Sequence, residues 1–232
     1  MDKKKYYQIR YEMAFNEGVS KEFNLELDLS DITLVMDHTL DPPPWTRLDH
    51  SQCECCQLEV GANEYCPIAV NISQLVQEFK DVPSFADVEA RCVTPDRTYF
   101  KKTSVQDCLY SIFGIIMATS NCPTMNFLKP MARFHLPFST IEETLVRSAS
   151  LYLLHEYFQY RRGGKPDLDL SRLEENYDRV EVINNGIISR LRLVNRSDAS
   201  PNAIVILNSL SQILNMAIDK DLYSIEYLFT HN

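Results

Sequence analysis

The chain has 232 residues, of which 45% are hydrophobic and 24% are charged, and this composition excludes intrinsic disorder as its main state. Only 6 glycines and 11 prolines are present and no repeat recurs, which excludes collagen-like, repeat-array and low-complexity proteins. The net charge of −9 opposes attraction to phosphate, so we expect no nucleic-acid partner.

Alternating apolar and polar residues predict strands in the first half of the chain. Two such runs, at residues 7–13 and 23–29, flank Asn16 and Gly18 and predict a β-hairpin. Shorter runs predict a third strand at residues 32–36 and two more at residues 88–93 and 98–100. Because one side of each run is apolar, we expect an antiparallel sheet with a single buried face.

Residues 37–67 interrupt this periodicity. The segment carries three consecutive prolines, the single tryptophan and four of the seven cysteines. A long irregular segment inside a compact domain is usually functional or cross-linked. We therefore expect a Cys-rich loop here, held together by a bound metal.

Helical patterns occupy most of the remaining chain. They cover residues 67–80, 104–119, 139–162, 168–193, 203–218 and 222–229, and the second is apolar on nearly all sides. Ser139 and Glu142 match a capping box, and Ser200 with Pro201 matches a helix start. Arg190, Arg192 and Arg196 fit a solvated helix end.

The order of these elements predicts the fold class and the domains. Strands followed by helices indicate an α+β protein with an N-terminal antiparallel sheet and a C-terminal helical bundle. We divide the chain into residues 1–102 and 103–232, packed together as one unit. The longest apolar stretch, residues 109–118, falls short of the roughly 20 residues that a membrane span needs. The N-terminus lacks a secretory pattern, so we expect a cytoplasmic protein without a membrane partner.

The cysteines of the loop form a candidate metal site. Cys53 and Cys56 have the C-x2-C spacing that lets two thiolates face one ion, and Cys66 supplies a third thiol. Clustered thiols in a reducing compartment are more often metal ligands than disulfides. Cys55 adjoins Cys56, where side chains diverge, and is a reserve ligand only. These residues predict bound zinc, and an iron–sulfur cluster is the alternative.

Zinc requires a fourth ligand, for which two residues compete. His50 is local and would make a compact knuckle. Cys122 is followed by proline, as Cys66 is, and each Cys-Pro pair starts a helical segment. A thiolate at a helix N-terminus is stabilised by the helix dipole and free N–H groups. We favour Cys122, which would join the loop to the helical part.

A second candidate site lies in residues 129–138. Arg133 and His135 fall on one side of this segment if it is extended, and Glu142 follows closely. Together they could bind an anion or transfer a proton. The simpler interpretation is a tethering loop in which Arg133 pairs with Glu142 or Glu143.

Several segments together resemble a known family. They are residues 44–48, the Cys53/Cys56/Cys66 loop with residues 66–69, residues 97–99, Cys122-Pro123 and residues 130–138. Over roughly residues 40–210 the chain resembles a bacterial domain-of-unknown-function family. The resemblance implies a bacterial cytoplasmic protein and supplies no activity.

These observations favour a zinc-binding protein without catalytic activity, in which the metal is structural and the protein acts through a protein partner or in regulation. One alternative is a metalloenzyme with His135 or Glu142 as the acid–base group. The other is an iron–sulfur or redox sensor that uses the same cysteines.

Overall fold

The computed structural model describes residues 5–16, 18–35, 41–192, 198–220 and 222–230. Its strands form one antiparallel sheet with the spatial order β3-β2-β1-β4-β5. The strands are β1 (Tyr6–Phe15), β2 (Ser20–Asp28), β3 (Thr33–Leu34), β4 (Asp87–Val93) and β5 (Thr98–Ser104). The predicted α+β class and N-terminal sheet are confirmed.

One face of the sheet is buried, as the alternation predicts. Tyr11 of β1 stands opposite Phe23 of β2 and Cys92 of β4, so apolar residues meet across the three central strands. Every second residue of these strands lies in the core because successive side chains point to opposite faces. The buried members are Ile9, Tyr11, Met13, Phe23, Leu25, Leu27, Val88, Ala90 and Cys92.

Helices cover this face and build the rest of the molecule. They are α1 (Pro67–Glu78), α2 (Val105–Thr119), α3 (Lys129–Arg133), α4 (Ile141–Arg161), α5 (Ser171–Arg192) and α6 (Ala199–Asp219). Short 3-10 helices lie at Pro44–Thr46, Pro123–Leu128 and Tyr223–Leu228. The apolar helix α2 contacts strands β3, β4 and β5 as well as α1, α3 and α6, so it occupies the centre of the molecule.

Three local predictions were wrong in detail. The capping box of α4 is formed by Thr140 and Glu143, one residue later than predicted. Two hydroxyl residues and two carboxyl residues are adjacent there, so the motif fits the sequence in two positions. Helix α6 starts at Ala199 rather than near Ser200, and Asp198 precedes it. Residues 129–133, predicted to be irregular, form α3 because a proline fits the first turn of a helix.

Some predictions fall outside the described residues: Glu17 in the hairpin turn, residues 36–40 at the start of the loop, and Leu193 and Arg196. The division at residues 102 and 103 stays a prediction. The buried core includes residues from the strands and from all the long helices.

Helix α6 alone among the described helices is long and apolar enough to cross a membrane by length and composition. The longest apolar stretch of the sequence, residues 109–118, lies in α2 and not in α6. In the structure α6 packs on α5 and α2, which are its most extensive neighbours. The absence of a membrane partner stays a prediction.

Candidate metal centre

The four favoured cysteines come from three separate segments. Cys53 and Cys56 flank a tight turn in which the Cys56 N–H donates to the Cys53 carbonyl at 3.0 Å. Cys66 immediately precedes α1, and Cys122 immediately precedes the 3-10 helix Pro123–Leu128. The two Cys-Pro cysteines share one backbone conformation, with φ and ψ of −76° and 119° at Cys66 and −69° and 120° at Cys122.

The fold brings these four thiols into one region, which we call the thiol cluster (Cys53, Cys56, Cys66 and Cys122). Burial raises the pKa of Cys53 to about 12, and the neighbouring thiols, Cys66 first, contribute to the rise. Burial also raises the pKa of Cys122 to about 11, with smaller contributions from Cys66 and Cys56. Each member therefore interacts electrostatically with at least two others.

Backbone N–H groups lie near two sulfurs of the cluster in the same pattern. Burial raises the pKa of the Cys66 thiol, and the nearby amides of Ala69 and Ile68 oppose that rise. At Cys122 the amides of Thr124 and Met125 do the same. In both places these amides are two and three residues beyond the cysteine, in the first turn of a helix, and the Met125 N–H also donates to the Cys122 carbonyl at 3.0 Å. Such groups stabilise a thiolate.

Arg190 lies beside the cluster and is fully buried. Its Nη1 donates to the carbonyls of Trp45 and Arg47 at 2.7 and 2.8 Å, and Nη2 donates to that of Leu48 at 3.3 Å. The ion pairs of the described residues do not include it. Its positive charge lowers the pKa values of Cys53 and Cys66 against the dominant effect of burial. The guanidinium thus faces thiols instead of carboxylates.

The prediction of a solvated arginine cluster was wrong for Arg190, whereas Arg192 is exposed as expected. Helical spacing could have revealed the difference. Arg190 lies seven residues after Ile183 and three after Ile187, so it shares the buried face of α5 with both.

Gly186 is a second residue of the site that the sequence did not predict. A Cβ atom at this position of α5 would lie 2.8 Å from the Cys53 sulfur. That distance is too short for unbonded atoms, so only glycine lets the turn approach the helix this closely. No pattern within α5 signals this requirement, because the contact joins distant parts of the chain.

The two reserve ligands have different surroundings. The Cys55 thiol donates to the carbonyl of Arg179 on α5 at 3.7 Å, which fits its expected divergence from Cys56. The Nε2 atom of His50 is buried and has no hydrogen-bond partner among the described residues. His50 therefore stays the alternative fourth ligand.

All seven cysteines are free thiols. Within the described ranges, no group of three or more His, Cys, Asp or Glu side chains is arranged to hold a metal ion as the side chains stand. Binding an ion would require the thiols of the cluster to turn toward a common centre. The donor set itself fits zinc, because four thiolates can fill its tetrahedral positions, and the amides near two of the sulfurs and the buried guanidinium favour the ionised form.

The second candidate site is not assembled. The guanidinium of Arg133 lies over the Tyr7 ring, 4.2 Å from its centroid. His135 Nε2 is hydrogen-bonded to the Tyr11 hydroxyl at 2.5 Å, and Glu142 accepts a hydrogen bond from the Tyr227 hydroxyl. Each of the three predicted residues therefore has a separate partner, and no ion pair of the described residues joins Arg133 to Glu142 or Glu143.

Comparison with known proteins identifies the family. No curated protein and no solved structure matches the chain significantly. The family model of a domain of unknown function, DUF6901, matches residues 9–230. This match covers nearly the whole chain, including all seven cysteines, and agrees with the resemblance described above. The chain therefore belongs to the DUF6901 family.

Proposed function

We propose that this protein binds one zinc ion through Cys53, Cys56, Cys66 and Cys122, and that the ion is structural. The observation that carries the proposal is the pair of Cys-Pro helix starts, which have the same backbone conformation and amides near the sulfur, and whose thiols interact electrostatically with those of the Cys53–Cys56 turn. Two thiols so placed are suited to be thiolate ligands, and the turn supplies two more.

The charge of the surroundings supports the same assignment. Zinc with four thiolates carries a net charge of about −2, which is costly to bury without compensation. Arg190 supplies a buried positive charge next to Cys53 and Cys66. A set of four thiolates also fills the tetrahedral positions of zinc, and a filled site favours a structural role over a catalytic one.

The ion would connect parts of the chain that are otherwise only packed together. Cys53 and Cys56 belong to the irregular loop, Cys66 to the start of α1, and Cys122 to the segment after α2. Because such a site is absent from the unfolded chain, its binding energy contributes directly to folding. Zinc would hold the loop against the helical part.

Beyond this structural role, we propose that the protein acts by binding a protein partner or in regulation, in the cytoplasm. Support comes from apolar side chains that α4 exposes near its C-terminus. Leu154, Tyr157, Phe158 and Tyr160 are 48–61% exposed. Clustered exposed apolar residues are typical of interaction surfaces. The alternative of a metalloenzyme gains no support from Arg133, His135 and Glu142, because each of them contacts a different partner.

Metal analysis of protein purified without oxygen tests the proposal. We expect about one zinc per chain and no visible absorption. Iron with sulfide and a brown colour would instead establish an iron–sulfur cluster. Protein that is purified without metal and does not bind added zinc would contradict the proposal.

Ligand variants test the assignment of residues. Cys53→Ser and Cys122→Ser should each lose the metal and lower the melting temperature. Cys55→Ser is the matched control in the same loop and should keep both. We expect His50→Ala to retain most of the zinc. Full zinc content in Cys122→Ser, together with loss in His50→Ala, would transfer the fourth position to His50.

A further inference from the structure

A cavity of about 130 Å³ lies within the helical part. Residues of α2, α3, α4, α5, α6 and the segment between α3 and α4 line it, and no cysteine is among them. The chain has 32 acidic residues, yet no Asp or Glu lines the cavity. Its charged lining residue is Arg147, and His135 lies in the same wall.

Arg147 is only partly occupied by the protein. Its Nη2 donates to the carbonyls of Met131 and Phe134 at 3.0 and 2.6 Å. Among the described residues, no carboxylate forms an ion pair with it. Glu143 is near enough to favour the charged form, but burial dominates and lowers the pKa of Arg147. The Glu143 carboxylate instead accepts a hydrogen bond from the N–H of Thr140 at 2.8 Å.

His135 provides a second polar group at the same wall. Burial, and then the charge of Arg147, lower the pKa of His135 to about 3, so the ring is neutral near pH 7. The Nε2 atom of His135 is hydrogen-bonded to the Tyr11 hydroxyl at 2.5 Å. A neutral imidazole carries one N–H donor and one acceptor nitrogen. The lining thus offers the neutral imidazole of His135 and the guanidinium of Arg147.

The rest of the lining is mainly apolar and adaptable. It includes Met117, Met125, Leu128, Leu207, Leu210 and Leu214. Methionine side chains are flexible and polarizable, so they fit apolar groups of various shapes. An engineered apolar cavity of about 150 Å³ holds benzene, which sets the scale of ligand that such a volume accepts.

We propose that this cavity is a binding site for a small monocarboxylate with an apolar body, of up to about eight non-hydrogen atoms including the carboxylate. The carboxylate binds at Arg147 and His135, and the apolar body lies against the methionine and leucine side chains. The assignment rests on a wall that carries a guanidinium and an imidazole but no carboxylate, joined to an apolar interior. It is independent of zinc binding.

Hexanoate is a suitable test ligand, with hexan-1-ol and acetate as matched controls that lack the charge or the apolar body. Calorimetry on the full chain as purified measures the affinities. Protein with methyl-labelled methionine locates binding by NMR. We expect hexanoate to shift the signals of Met117, Met125 and Met131, which line the cavity, and to leave Met13 of β1 unchanged. Hexan-1-ol and acetate should bind at least about tenfold more weakly.

Two variants separate binding from folding. Arg147→Gln should weaken hexanoate about tenfold and leave hexan-1-ol nearly unaffected. Gly114 lines the cavity, and a Cβ there would have its nearest neighbour at 3.7 Å, so Gly114→Leu should fill the space and abolish binding while the circular dichroism spectrum is retained. Absence of hexanoate binding to the wild type would overturn the proposal. Equal affinity for hexan-1-ol would overturn the anionic part, and unchanged binding in Gly114→Leu would place the ligand elsewhere.

Discussion

Gly114 and Gly186 occupy helix interiors, yet their surroundings are opposite. In α2 the nearest atom to a Cβ at Gly114 would be a Leu207 methyl carbon at 3.7 Å, an ordinary contact. In α5 a Cβ at Gly186 would meet the Cys53 sulfur at 2.8 Å. Glycine inside a helix costs about 0.5–1 kcal/mol relative to alanine. Both glycines carry this cost, but only Gly186 has a steric reason for it.

We therefore expect the same substitution to have opposite effects at the two positions. Gly114→Ala should raise the free energy of unfolding by about 0.5–1 kcal/mol. Gly186→Ala should lower it by about 1–3 kcal/mol, because overpacking displaces Cys53, and should reduce zinc content as well. Urea denaturation and metal analysis measure both effects. Stabilisation by Gly186→Ala with full zinc content would contradict the close contact.

His135 gives the stability a pH dependence with a definite sign. Its pKa falls from 6.5 to about 3 on folding. Between these two pH values His135 is therefore protonated in the unfolded chain and neutral in the folded chain. The stabilisation from neutral His135 is complete above the unfolded pKa and is lost as the pH falls toward the folded one. Between about pH 7 and pH 5, the wild type should lose up to about 2 kcal/mol more than His135→Gln.

Denaturation curves of the two proteins at several pH values test this expectation. Glutamine keeps an acceptor for the Tyr11 hydroxyl, so the comparison isolates the titration of the ring. Parallel stability profiles would show that His135 titrates alike in the folded and unfolded states.

At the scale of elements, the start of α4 shows how local motifs are positioned. The Thr140 hydroxyl accepts the N–H of Glu143 at 3.1 Å, and the Glu143 carboxylate accepts the N–H of Thr140 at 2.8 Å. The sequence predicts a capping box at this helix start, but Ser139 and Glu142 match the motif equally well. The choice depends on Ser139, whose hydroxyl bonds to Thr144 and whose carbonyl accepts the Tyr110 hydroxyl.

Alanine substitutions distinguish the two possible N-cap residues, Thr140 and Ser139. Thr140→Ala should lower the free energy of unfolding by about 1 kcal/mol, because it removes the N-cap hydrogen bond. Ser139→Ala should cost less than half as much, since it removes only one hydroxyl contact. Thermal or urea unfolding measures the difference. A larger loss of stability in Ser139→Ala would favour a capping box formed by Ser139 and Glu142.

Helix α6 starts at Ala199, earlier than the sequence predicts, and a tertiary contact lies at this start. Asp198 precedes α6, and its carboxylate accepts hydrogen bonds from the N–H and hydroxyl of Ser84, each at 3.0 Å. Ser84 lies just before β4, far away in the chain. Long periodic segments were therefore predictable, whereas their first residues depended on contacts that periodicity does not contain.

At the scale of the whole molecule, Arg190 joins α5 to the irregular loop. Three backbone carbonyls of residues 45–48 accept hydrogen bonds from its guanidinium, and one of them, that of Arg47, also accepts the N–H of His50 at 3.2 Å. Without Arg190, the carbonyls of Trp45 and Leu48 would lose this donor in a buried environment. Buried groups that lose a charged partner each cost on the order of 1–3 kcal/mol. This one side chain therefore holds together segments more than 140 residues apart.

We expect Arg190→Met to lower the free energy of unfolding by at least about 3 kcal/mol, and to weaken zinc retention because Cys53 and Cys66 lose their positive neighbour. Arg192→Met is the matched control, two residues along the same helix. Arg192 is exposed, so its substitution should change stability by less than about 0.5 kcal/mol. Equal effects of the two variants would contradict the role assigned to Arg190.

The sequence by itself determined the α+β class, the strands of the buried sheet, the long helices and the presence of two Cys-Pro helix starts. Each of these depends on residue spacing within a few turns or strands, where the physical preferences are local. Family membership likewise followed from short motifs in the chain.

Tertiary structure alone decided which distant residues meet. It placed Cys122 beside the loop cysteines, buried Arg190, required glycine at position 186, and gave Arg133, His135 and Glu142 separate partners. The Tyr11–His135 hydrogen bond joins residues 124 positions apart, and the cavity is lined by elements from several parts of the chain. Such contacts depend on how complete helices and strands pack, so no local pattern encodes them.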